Sequence, residues 1–208
     1  MSNLPRKRVL DAAKTVFARY GFRKAAMEDI AREAGVSRPA LYQWFSNKKA
    51  VFQALAEAIA ADALHAADAA WPEAAPLADG LLAAILAKDL PLYRLLRTSP
   101  HGAELLAVDE ALTSLMATDL ESAFATLLAA KVRGLGKRDR LDLSAFDGPE
   151  GFGATIARVA AGLKATAASE DDYTDGVRRV CRVVAAAVQR VSNGGELPVA
   201  SSWKGGGA

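Results

Sequence analysis

Met27-Glu28-Asp29-Ile30-Ala31-Arg32-Glu33-Ala34-Gly35-Val36-Ser37-Arg38-Pro39-Ala40-Leu41-Tyr42-Gln43-Trp44-Phe45-Ser46-Asn47-Lys48-Lys49 is the stretch that decides how the first part of this chain folds. Met27, Ile30, Ala31 and Ala34 stand at i, i+3, i+4 and i+7, the spacing that lines one face of an α-helix. Gly35 comes directly after the last of them, where a residue without a Cβ enters the left-handed conformation that closes a helix. Val36 plugs the corner. Ser37 is a good N-cap, because its hydroxyl accepts from a free first-turn amide, and Pro39 is tolerated where amides have no intrahelical partner. A second helix therefore begins at about residue 38, with Leu41 and Phe45 one turn apart on its buried side. Two short helices meet at a glycine corner, the pattern of a helix-turn-helix.

The outward face of the second helix is unusual. A surface helix ordinarily turns charge toward water, whereas here Pro39, Ala40 and Gln43 face out, flanked by Tyr42 and Trp44. Such a face suits close contact. Helix-turn-helix proteins set the second helix in the major groove, with its N-terminal residues against base edges. Ser37 and Arg38 then lie at the groove end, and the Arg38 guanidinium has the geometry to bond O6 and N7 of one guanine. Pro39 and Ala40 offer apolar contact to a thymine methyl, Tyr42 a phenol to phosphate, and Gln43 an amide to base or backbone. Lys48, in the first turn of the next helix, adds positive charge to amides that already favour phosphate.

Periodicity alone fits helical domains that never meet nucleic acid equally well, and charge separates the two readings. Residues 1–50 hold eleven Lys or Arg against four acids, a net of +7; with +2 for the whole chain, the remaining residues carry −5. A basic module joined to an acidic body is the footprint expected of a phosphate-binding domain.

The same stretch resembles the TetR family of bacterial transcriptional regulators. Val9-Leu10-Asp11-Ala12-Ala13 and Phe17-Ala18-Arg19-Tyr20-Gly21-Phe22 look like the family's first helix. The block from Met27 to Ser37, then Leu41-Tyr42 and Phe45-Ser46-Asn47-Lys48-Lys49, follow in the family's order. The resemblance implies an all-α chain: an N-terminal three-helix DNA-binding domain over residues 1–50, then a larger helical effector-binding and dimerisation domain over 51–193. It also implies a homodimer that grips a palindromic operator, represses transcription and responds to a small molecule. Where the family carries threonine or serine to cap the second helix and touch phosphate, this chain has Ala25 and Ala26; Arg23 or Lys24 is the alternative source of that contact.

Beyond residue 50 the pattern is helical. A long helix is expected from Asn47 or Lys48 to about Ala70, stopped at Trp71-Pro72. Shorter ones are expected over 76–88 and 89–98, broken at Pro91, and over 102–107. A core helix over 109–131 carries Leu112, Leu115, Met116, Leu120, Ala123, Phe124 and Leu127, and residues 134–148, rich in glycine and charge, read as a loop.

The last two helices each carry an apolar face: Phe152, Ile156, Val159, Ala160, Leu163 and Ala167 over 150–168, and Val177, Val180, Cys181, Val184, Val188 and Val191 over 170–192. Ser169 and Asp172 form a capping-box-like start for the second. By periodicity these faces are buried within one subunit; by the resemblance the pair, about 150–192, joins two subunits. The glycines of 194–208 suggest a disordered tail.

His65, Trp71, Tyr93, Met116 and Phe124 are candidate effector contacts, each also able to serve as ordinary packing. His65 and His101 are too few and too far apart in sequence to suggest a metal, and no cofactor is implied. Cys181 reads as a small buried hydrophobe, and the lack of any internal disulfide or leader leads us to expect a cytoplasmic chain. Recurrent charges argue against a membrane span. Two other readings compete: a dimerising helical scaffold, and an enzyme, for which neither a nucleotide-binding glycine loop nor a nucleophile elbow is present.

Overall fold

The computed structural model describes residues 4–106, 110–139 and 141–189. Among the described residues, secondary structure is helical throughout: α1 Leu4–Lys24, α2 Met27–Ala34, α3 Arg38–Trp44, α4 Lys48–Ala70, α5 Leu77–Thr98, α6 Gly102–Leu106, α7 Glu110–Asp139, α8 Pro149–Thr166 and α9 Glu170–Gln189. A short 3-10 turn, Ser144–Phe146, stands before α8. The expected tail at 194–208 lies outside the described residues.

Two hydrophobic clusters organise the chain. The first gathers Val9, Ala13, Val16 and Phe17 of α1 with Ile30 and Ala34 of α2, Leu41 of α3 and Val51, Ala54 and Leu55 of α4. The core of the small module therefore also draws on side chains past residue 50. The second gathers Ala67 and Trp71 with the buried faces of α5, α7, α8 and α9. One helix thus enters both cores.

That double duty explains the composition of α4, which by length and hydropathy alone could cross a membrane. Its N-terminal turns pack in the module and Ala67 packs in the body, so both ends need an apolar face. Glu57, Asp62 and Asp68 interrupt it. Lysines seal the helix ends around it. Lys131 donates from Nζ to the carbonyls of Asp68 and Trp71, each at 3.0 Å, and pairs with the Asp68 carboxylate at 2.6 Å. Cations at a helix C-terminus satisfy carbonyls that have no partner of their own.

Two elements differ from the sequence expectation. The helix over 77–98 runs straight through Pro91. A proline inside a helix costs about 3 kcal/mol, and here packing on either side offsets it. Before Pro91, Leu77, Leu81, Ala84 and Ile85 are buried; after it, Arg94 grips Glu170 of α9 at 2.9 and 2.5 Å. Likewise α7 continues through Gly134 and Gly136 to Asp139, where a loop was expected. Val132 and Leu135 lie in the body core and hold those last turns against the body.

Much of the apolar face of α8 and of α9 packs inside the subunit, while Val159 and Val180 are half-buried. Phe152, Ile156, Ala160, Val177, Cys181 and Val188 all belong to the body core. Burial pushes the Cys181 thiol up to about 11, so it stays protonated and unreactive near neutral pH. At the start of α9, the Ser169 hydroxyl accepts from the Asp172 amide at 3.1 Å, while the Asp172 carboxylate accepts from the amide of Ala168 at 3.0 Å. The reciprocal cap is present, displaced by one residue on its return leg.

Candidate nucleic-acid interface and the cavity behind it

The corner between α2 and α3 is built by local rules. Gly35 closes α2 at φ 64°, ψ 36°, and the Val36 amide reaches back to the Ala31 carbonyl at 3.0 Å. From the other side, Arg8 donates to the Ala34 carbonyl at 2.9 Å. Ser37 then caps α3, its Oγ accepting from the Ala40 amide at 3.3 Å. Leu41 and Phe45 are buried, which fixes the rotation of the helix.

What remains outside is the face singled out by the sequence. Arg38, Pro39, Tyr42, Gln43 and Trp44 are exposed and Ala40 is half-buried. Tyr42 at 46% and Trp44 at 39% are among the most exposed large hydrophobic side chains described. Burying them would stabilise the fold, so leaving them out calls for another use. Arg38 forms an ion pair with Glu28 of α2. Both partners are exposed, so the pair is worth at most about 1 kcal/mol and a phosphate or a base edge competes with it readily.

Lys48 has a different place from the one expected of a phosphate ligand. Its ammonium donates to the carbonyls of Phe22 at 2.7 Å, Arg23 at 3.1 Å and Ala25 at 3.0 Å, and lies 4.6 Å from the centre of the Phe22 ring. An ammonium has three donors. All are used to close the end of α1, so Lys48 fastens α4 to the module.

The missing hydroxyl at residues 25 and 26 leaves a visible gap. Ala25 is buried, and Ala26 is the N-cap of α2 without a side chain able to accept. Only half of a capping box exists, the Asp29 carboxylate accepting from the Ala26 amide at 3.1 Å. Ala26→Ser should therefore raise stability by about 1 kcal/mol, read as a higher denaturant midpoint with an unchanged m-value.

Behind this module lies a cavity of about 240 Å³. Lys14, Phe17 and Ala18 of α1 form one wall; Phe52, Leu55 and Ile59 of α4, Leu92, Leu95 and Leu96 of α5, and Leu105 of α6 form most of the rest. Glu121 of α7 and Lys164 of α8 also line it. The walls belong to both the module and the body.

Polar ties cross the same junction. Ser99 donates from Oγ to the Ala18 carbonyl at 2.9 Å, and the Glu104 carboxylate accepts from the Arg23 amide at 2.7 Å. Gly21 makes room for this approach: it sits at φ 75°, ψ 165° within α1, and a Cβ there would strike the Glu104 carboxylate.

Of the five candidate effector contacts, His65, Trp71, Tyr93 and Phe124 do not line this cavity. Trp71 and Phe124 are fully buried in the body core, and His65 is exposed on α4. Tyr93 stacks on Tyr173 with 6.3 Å between ring centres, and the Met116 side chain lies outside those described. Residue chemistry alone gives aromatic and histidine side chains prominence; the cavity is lined instead by leucines, alanines and phenylalanines spread over many helices. One signal was available: α4 is more apolar than the few side chains it buries require.

Beside the cavity, a fully buried Lys88 pairs with Glu121 at 2.8 Å and Asp89 at 3.2 Å. Lys164 reaches Asp89 at 2.5 Å, and the Tyr173 hydroxyl donates to the other Asp89 oxygen at 2.6 Å. Burial, and then the neighbouring Asp89 carboxylate, push the Tyr173 phenol far above its ordinary value, so it remains a donor. The Glu121 Oε2 is buried without a partner.

Residues 9–55 match the model of a family described as bacterial regulatory proteins, tetR family. Over those residues the chain is similar to the helix-turn-helix module of that family. It is 43% identical over 49 residues to an uncharacterised HTH-type transcriptional regulator of Bacillus subtilis, YfiR, which is 24% of each chain. It is 46% identical over 50 residues to the HTH-type transcriptional regulator SrpR of Pseudomonas putida, again 24% of each. The matched stretch is thus about a quarter of the length of these relatives. The fold is shared over most of the chain: a transcriptional regulator from Cytophaga hutchinsonii superposes with a TM-score of 0.65 at 16% identity, covering 89% of this chain and 96% of that one. The sequence likeness is confined to the helix-turn-helix, while the body shares architecture with little of the sequence.

Proposed function

We propose that this chain is a dimeric transcriptional regulator that reads a palindromic DNA site through α3, represses from it, and changes its hold on DNA when a small molecule binds. The observation that carries the reading is the exposed, largely uncharged face of α3 on a strongly basic module. Arg38 reads a base edge, Pro39 and Ala40 pack on a thymine methyl, Tyr42 and Gln43 hold backbone or base, and Ser37 positions the helix end. Lys48 is left out of this set because its donors are already engaged. Arg23 and Lys24, exposed at the end of α1, supply the flanking phosphate contact.

One recognition helix contacts few bases, whereas two, about 34–36 Å apart, read a symmetric site. With much of the apolar stripes of α8 and α9 packed internally, the outer sides of these helices are the face left for the second subunit. Arg179, Val183 and Ala186 stand at i, i+4 and i+7 on the outer side of α9, with Val183 68% exposed. On α8, Arg158, Gly162 and Ala165 are likewise exposed, and nothing approaches the Cβ position of Gly162. Val183→Asp should turn the dimer into a monomer by sedimentation and weaken operator binding at least tenfold, with the helical circular dichroism preserved.

Selection of bound sequences from a random DNA pool tests the whole reading. A palindromic consensus is the expected outcome. Recovery of no preferred sequence would instead favour a helical scaffold.

A further inference from the structure

From the cavity between module and body, we infer that the ligand is a neutral, mainly aliphatic molecule bearing one hydroxyl. Its size sets the first limit: with a water's share of liquid volume at roughly 30 Å³, about 240 Å³ is room on the order of eight water-sized groups, the scale of a short alkyl chain. The walls set the second. Phe17, Phe52, Leu55, Ile59, Leu92 and Leu96 present hydrocarbon, and such a lining rewards apolar surface at about 25 cal/mol per Å².

The polar lining chooses the head group. Glu121 and Lys164 both line the cavity. Glu121 Oε1 is taken by Lys88 at 2.8 Å, but Oε2 is buried without a donor. Lys164 makes one hydrogen bond, to Asp89 at 2.5 Å, and its ammonium stands 3.8 Å from Glu121, too far for a second. Glu121 therefore lacks a donor for one carboxylate oxygen, and Lys164 lacks an acceptor for a further ammonium proton.

A hydroxyl carries one donor and two lone pairs, so it supplies both. A turn about the soft terminal torsion of Glu121 brings its free oxygen to the ligand. A carboxylate ligand would satisfy Lys164 and repel Glu121; an ammonium would do the reverse. Either also adds a charge to a buried cluster in which Lys88 and Lys164 balance Asp89 and Glu121, the remaining charged lining residue, Lys14, being exposed to water.

Binding at this place touches the DNA module directly, since Lys14, Phe17 and Ala18 are part of the wall. The regulatory consequence rests on the function proposed above; the binding itself does not. A ligand that fits only one spacing of α1 against α4 and α5 shifts DNA affinity by its preference for that spacing.

The test uses the full chain with 1-octanol, octanoate and octylamine as probes of equal chain length, followed by calorimetry and thermal shift at neutral pH. Octanol should bind and raise the melting temperature, with octanoate and octylamine at least tenfold weaker. Ala56→Phe, which fills the cavity from α4, should abolish octanol binding; Ile59→Trp serves the same purpose if the first variant does not fold. Equal or tighter binding of octanoate or octylamine, absence of octanol binding, or octanol binding retained by a folded cavity-filled variant would each overturn the inference. Octanol bound as expected with operator affinity unchanged would instead count against the regulatory function and leave the ligand class standing.

Discussion

Lys88→Ala should destabilise the folded chain by about 3–5 kcal/mol, the largest loss expected from any single charged side chain described here. Lys88 is fully buried, and its ammonium lies 4.6 Å from the centre of the Phe124 ring while serving two carboxylates. Its removal leaves Glu121 Oε1 without a donor beside an Oε2 that already has none. Asp89 suffers less, because Lys164 and Tyr173 still hold it. For a chain of this size such a loss lowers the melting temperature by roughly 6–20 °C. The double variant Lys88→Met with Glu121→Met should recover most of it, since replacing a whole buried pair by hydrocarbon of similar volume is often neutral or better. Calorimetric melts of the single and double variants check this; equal losses in both would show that packing, and not the orphaned carboxylate, governs the site.

The same lysine shows where sequence reading stops. Lys88 continues the buried stripe Leu77, Leu81 and Ala84 of α5 at helical spacing; the pattern was there, but a charged residue on an apolar stripe ordinarily marks its end. Its partners lie one residue and 33 residues away, on two helices, and only the tertiary fold brings Glu121 to it. By contrast, the corner at Gly35 and the caps at Ser37 and Ser169 were legible because each is settled within four residues. The passage of α5 through Pro91 and of α7 through Gly134 follows the opposite rule: local preference says break, and packing overrides it. Lys48 belongs to this second group as well. Its position at the start of a helix suggested an anion partner, but its stem turns back to carbonyls more than twenty residues earlier. The cavity was hidden for the same reason, being a space between helices distant in sequence.

These distinctions sharpen what variants of the recognition helix should do. Arg38→Ala is expected to remove about 1–3 kcal/mol of base discrimination per half-site, and roughly twice that from a symmetric dimer, so binding to a selected operator should fall at least thirtyfold. Preference at one position of each half-site should relax with it. Tyr42→Phe removes a neutral hydroxyl and releases no counterion, so it should weaken every sequence alike and leave the dependence on salt unchanged. Glu28→Ala should act in the other direction: it frees Arg38 from its ion pair and removes a negative charge beside the DNA face, raising affinity severalfold. Lys48 provides the internal control. Because its donors are spent on α1, Lys48→Ala should lower thermal stability while the salt slope of the folded protein stays that of the parent, whereas loss of a true phosphate contact flattens that slope by about 0.9 per phosphate. Titration of a selected operator by each variant at several salt concentrations separates base reading, backbone holding and scaffold. A flattened slope for Lys48→Ala would return that residue to the interface, and an Arg38→Ala protein with unaltered sequence preference would mean that α3 reads DNA through Gln43 and its neighbours instead.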